Sequence, residues 1–184
     1  MIQSMKFLYV FIGLIIISSN VFANDQISII PFIPQNINDT IKKYSSVDVL
    51  RFIFTNDTKR ETFLRNISEG KGNWLNLFPS LKNVSDAGWS WMLDMALLDA
   101  LDTNPQKTIS CISKVRNSLK YANKICGSTS EDWNEDLPIQ SLAPFAIEKL
   151  EQRKNIIKKQ NSTVAEKCYI AIEQKIIWWN KKKT

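Results

Sequence analysis

The chain has 184 residues, 24 Lys+Arg against 18 Asp+Glu, a net charge of +6, 44% hydrophobic residues and no histidine. The length fits one domain of ordinary size, and the apolar-to-charged balance is that of a globular chain. Without histidine there can be no Ser-His-Asp triad, no Cys-His pair and no His-ligated metal site, so any catalysis would run on carboxylates, Lys, Tyr or Cys.

In chain order, residues 1–23 read as a secretory signal peptide. Lys6 supplies the positive start, and Phe7–Ile17 is an uncharged apolar run of 11 residues. Val21-Phe22-Ala23 offers a cleavage site after Ala23. The apolar run is shorter than the ~20 residues of a spanning helix, which favours cleavage over an uncleaved anchor. Residues 24–35 carry Ile27, Ile29, Ile30, Phe32 and Ile33 between prolines, the pattern of an extended arm.

From residue 36 the signals are helical. Asn36 or Asn38 caps a helix to about Tyr44. Ser45 or Ser46 caps a second, around Val47, Leu50, Ile53 and Phe54. Asp57 or Thr58 starts a third, closed by Gly70 and Gly72. Trp74, Leu75 and Phe78 form a short helical turn. Asp86 opens the strongest helix, with Trp89, Met92, Leu93, Ala96, Leu97 and Ala100 at helical spacing. Asn104-Pro105 restarts a helix that carries Ile109, Ile112, Val115 and Leu119 to Cys126-Gly127. Residues 128–138 form an acidic loop with Trp133. Pro144 opens the next helix, with Phe145, Ile147, Leu150, Ile156 and Ile157. A final helix of about Thr163–Asn180 buries Cys168, Ile172, Ile176 and Trp179, and residues 181–184 are a basic tail. The expected fold is all-α, a single compact bundle of about seven or eight short helices over residues 36–180.

Cleavage after Ala23 would leave 161 residues and a charge of +5, of which Lys181–Lys183 supply +3. The remainder is nearly balanced, which argues against a nucleic-acid partner and its broad basic face. Three cysteines in an oxidising compartment imply one disulfide and one free thiol. Cys111 sits in an apolar pattern and reads as a small buried hydrophobe. The expected pair is Cys126–Cys168, with pairings through Cys111 as the alternatives.

The candidate chemical groups are weak as catalysts. Asp94 and Asp99 lie on the strongest helix but point to different faces, and both are expected in solvent. Glu131, Asp132, Glu135 and Asp136 lack the spaced-oxygen pattern of a calcium loop. No catalytic, cofactor or metal site is expected. Trp89 and Trp91 stand about 200° apart around a helix. That helix is therefore central and buried on both sides, or one indole faces a partner. Trp178 followed by Lys181, Lys182 and Lys183 suits an anionic lipid surface, or else a capped last helix with a solvated tail. Trp91, Trp133, Trp178 and the three lysines are the candidate interaction residues. Five Asn-x-Ser/Thr sequons, at Asn38, Asn56, Asn66, Asn83 and Asn161, carry little weight in so Asn- and Ser-rich a chain.

The segment Trp74-Leu75, Leu81, Ser85-Asp86-Ala87-Gly88, Leu93, Ala96-Leu97, Ala100-Leu101 and Asn104-Pro105 resembles a group of small exported helical proteins of Gram-negative bacteria. Ile125-Cys126-Gly127 and a cysteine in the last helix, here Cys168, also resemble that group. The resemblance covers about Val49–Cys168. It implies export, a helical domain and the Cys126–Cys168 staple, and no activity. Trp89, Trp91 and Cys111 depart from its pattern.

Together these features point to a periplasmic or secreted, non-catalytic binding protein of the cell envelope, without cofactor, whose partner is an unidentified envelope protein. An immunity- or inhibitor-like role would fit by analogy. The alternatives are a membrane-surface protein using the C-terminal Trp/Lys segment, and a carboxylate-based envelope hydrolase. The oligomeric state is not legible.

Overall fold

The structure is a computed structural model that describes residues 31–133 and 138–183. The expected leader, most of the arm, Glu135 and Asp136 lie outside these residues, as does the side chain of Trp133. The described chain is all-helical, with no strand. Its elements are α1 (Pro34–Lys43), α2 (Ser46–Phe54), α3 (Asp57–Ser68), α4 (Gly72–Leu75), α5 (Phe78–Lys82), α6 (Ala87–Thr103), α7 (Pro105–Ile112), α8 (Ser118–Cys126), a 3-10 turn (Ser130–Trp133), α9 (Ile139–Ile157) and α10 (Thr163–Lys183).

Local chemistry sets most boundaries. The side chains of Ser45, Asn56, Asp86 and Asn104 each accept the backbone N–H three residues on, capping α2, α3, α6 and α7. Gly70 ends α3 at φ 67°, and a Cβ there would lie 2.6 Å from Asn104 Cβ, so the turn needs glycine twice over.

Four boundaries differ from the sequence expectation. The first helix starts at Pro34, not after Asn36. Proline fixes φ and lacks the N–H that a first helical residue leaves unused. The expected helix from Pro105 to Cys126 is broken. Asn117 takes a left-handed φ of 55° before α8, and Leu119 faces solvent instead of the core. Pro144 lies inside α9, which starts at Ile139. The carbonyl that loses a partner belongs to exposed Gln140, where water can replace it, and Phe145 is 62% exposed. Finally, α10 continues through Lys183, so the three lysines form its last turn and not a tail.

The core is one apolar cluster contributed by every long helix. α6 is central, touching α3, α5, α7, α8 and α9, with Leu93, Leu97, Leu98 and Leu101 buried. α9 and α10 pack as an antiparallel hairpin through residues 158–162, and α8 packs against α10. Cys126 and Cys168 form a disulfide with a Cα–Cα distance of 5.1 Å. Beside it, Arg153 of α9 is 2% exposed. Its Nη1 donates to the carbonyls of Cys126 (2.9 Å) and Ser128 (2.8 Å), and its Nε donates to Asp102 at 2.9 Å. One buried cation thus neutralises the C-terminal carbonyls of α8 and anchors α6.

Cys111 is buried, donates to the Leu75 carbonyl at 3.2 Å, and has its thiol pushed up to about 12 by burial. Native, unreduced protein should therefore give no thiol labelling, and unfolded, unreduced protein one labelled site at Cys111. Replacing both Cys126 and Cys168 by Ala should lower the unfolding free energy by about 4 kcal/mol, the chain-entropy value for a loop of roughly 40 residues, as read by urea titration.

Candidate interaction face

The face between α8 and α10 is built on the disulfide. Gly127 sits against α10 so closely that a Cβ on it would lie 3.0 Å from the Ala171 carbonyl oxygen. Further along, the helices part into a groove of about 300 Å³ lined by Asn123, Lys124, Gln174, Lys175 and Trp178.

Helical geometry separates the two adjacent indoles. Trp179 is 1% exposed and Trp178 is 39% exposed, as expected for neighbours ~100° apart. Their rings meet edge to face at 4.9 Å. Lys175 Nζ lies 4.1 Å from the Trp178 centroid and 2.5 Å from Asp132, and Lys182 lies 5.7 Å from the same indole. Trp178 is thus held by cation–π contacts rather than swinging freely.

Under the groove lies a buried charge hub that the sequence concealed. Asp94, expected in solvent, is 6% exposed. It accepts from Tyr121 Oη at 2.5 Å and pairs with Lys82 at 2.6 Å and Lys124 at 3.0 Å. Lys82 also donates to the Ser90 carbonyl at 3.0 Å and bonds the Ser90 hydroxyl. Burial drives the Lys82 pKa below its ordinary value, against the pull of Asp94. Burial and Asp94 drive Tyr121 far upward, so it stays a neutral donor. One carboxylate between two ammonium groups leaves one positive charge in excess. Lys82 is enclosed, so that charge reaches the surface at Lys124, on the groove rim.

The other candidates separate. Trp89 packs on Phe54 with centroids 5.5 Å apart, while Trp91 is 50% exposed. α6 is therefore central and still shows one indole to solvent. Asp99 stays exposed, as expected. Glu131 pairs with Lys149 at 2.8 Å. Burial, the largest single influence, pulls the Glu131 carboxyl up, but the hydrogen bond and charge of Lys149, with a backbone and a Ser130 hydrogen bond, together outweigh it and the pKa ends below the ordinary value. Among the described residues no group of three acids or cysteines is placed to hold a metal. A cleft of about 520 Å³ at the α9–α10 turn has Glu166 as the single acid in its lining. It does not present the facing carboxyl pair of a glycan hydrolase. Among the described residues no helix is long and apolar enough to cross a membrane.

Asp94→Ala strands Lys82 as an unpaired buried charge and should cost about 3–5 kcal/mol in urea unfolding. Adding Lys82→Met should recover part of that loss. An Asp94→Ala protein as stable as the parent would remove the hub from the account.

No family model, no curated protein and no solved structure matches the chain.

Proposed function

We propose that this is a non-catalytic binding protein of the bacterial cell envelope, exported by a leader ending at Ala23 and acting through the α8–α10 face. The observation that carries the reading is a half-exposed tryptophan on a groove rim, held by two lysines of its own helix, α10, which a disulfide locks to α8. Rigid Trp anchors beside cations are the chemistry of interface hot spots, because a large ring binds with little conformational entropy to lose. A stapled export domain of this kind suits an immunity- or inhibitor-like role, in which the α8–α10 face covers a partner's site.

A photocrosslinking residue at Gln174 in living cells should form one dominant adduct, while the same residue at Lys158, at the opposite end of the hairpin, should not. Trp178→Ala should weaken that association by about thirtyfold, the scale of a 2 kcal/mol hot spot. Equal adducts at both positions, or an unchanged Trp178→Ala protein, would contradict the reading. The protein released by osmotic shock should begin at Asn24 on N-terminal sequencing.

A further inference from the structure

The free tip of the α9–α10 hairpin concentrates exposed apolar side chains beside lysines. α9 has 19 residues and α10 has 21. At ~1.5 Å per residue each runs about 30 Å away from the turn. Counted from the turn, Phe145 lies 12 residues along α9 and Ile177 14 residues along α10, so their levels differ by about 3 Å. Ile139 and Trp178 belong to the same tip. α8 runs antiparallel to α10, because Cys126 meets Cys168 while Asn123 and Lys124 share the groove with Lys175 and Trp178. Leu119 therefore points to this end too. Leu119, Ile139, Phe145, Ile177 and Trp178 are five of the eleven exposed large hydrophobic side chains of the described residues.

The charge of the tip is complementary to an anionic surface. Lys120, Lys181, Lys182 and Lys183 are exposed at this end. The continuation of α10 through Lys183 is what matters. In a loose tail the lysines would be independent of the indole. In the helix they are fixed one turn beyond Ile177 and Trp178, and Lys182 lies against the Trp178 ring. Apolar side chains flanked by lysines on a helix end match the acyl–headgroup boundary of a bilayer. There an indole sits at headgroup level and ammonium groups meet lipid phosphates.

Resting on the reading of this region as a binding face, we infer that its occupant is an anionic lipid bilayer. The hairpin tip inserts Ile177, Trp178 and Phe145 at headgroup depth, and the terminal lysines bind phosphate. The protein thereby docks reversibly on the membrane without spanning it.

The test is sedimentation of the exported form with vesicles of phosphatidylcholine, with and without phosphatidylglycerol. Pelleting should require phosphatidylglycerol and fall as salt shortens the electrostatic range. Replacing Lys181, Lys182 and Lys183 together by Gln should lower the association constant about a hundredfold, from roughly fivefold per lysine near an anionic surface. Ile177→Ser should lower it about tenfold. These side chains are exposed, so unfolding midpoints should stay unchanged. Equal pelleting on both vesicle types, none on either, or a triple variant equal to the parent overturns the inference. If vesicles fail to bind while the Gln174 crosslink still captures a protein, the lipid inference falls and the binding face stands. If both fail, both fall.

Discussion

Four helices of this protein meet at one covalent and ionic node. The Cys126–Cys168 disulfide fixes the end of α8 to α10. Arg153 reaches from α9 to the carbonyls of Cys126 and Ser128, and to Asp102 at the end of α6. A guanidinium this deeply buried is tolerable because Nε and Nη1 meet acceptors and the Asp102 carboxylate lies 2.9 Å from Nη2. The node explains why a groove can persist between α8 and α10. The helices are clamped at Gly127 and Ala171 and free to part toward Trp178. Nothing at the open end has to be tightly packed for the pair to stay together.

The second constraint is the Asp94 hub, which ties α5, α6 and α8 through one carboxylate. Such a hub is poor evidence for stability in itself, since desolvation of Lys82 offsets much of the pairing. Its consequence is directional. Each donor fits one arrangement of the helices, and the surplus positive charge emerges at Lys124 beside the groove. Core architecture and surface charge are therefore linked, and the cationic character of the face is built from the inside.

Much of the fold was legible because helix boundaries are set by local chemistry. Ser45, Asp86 and Asn104 act as caps where the sequence placed them, and Trp179 is buried while Trp178 is not. The staple was readable because Cys126-Gly127 marks a helix end that Cys168 of the last helix can reach, while Cys111 reads as a small buried hydrophobe. What failed to show were the places where tertiary context overrules the local default. Asp94 and Arg153 look like ordinary solvent-facing charges, since burial of either depends on partners 12 to 51 residues away. Pro144 reads as a helix start, because sequence does not show that the carbonyl it orphans is exposed. Asn117 breaks a helix that the apolar spacing of Ile112, Val115 and Leu119 predicts to be continuous. The lysines at 181–183 read as a tail because three like charges disfavour a helix, yet their place at its negative C-terminal end favours them. The candidate face was half visible for that reason. The residues of Trp178 and its lysines were readable, but their partnership with Lys124, and with Phe145 at nearly the same level, is a product of packing.

The central claim is that the protein binds through the end of α8 and α10 farthest from the hairpin turn. Hydrogen–deuterium exchange of the exported protein, with and without native envelope fragments, tests it without assuming whether the partner is lipid or protein. The account predicts protection confined to residues 119–124, 139–146 and 170–183. Protection centred instead on the α9–α10 turn at residues 157–166, or none anywhere, would contradict it.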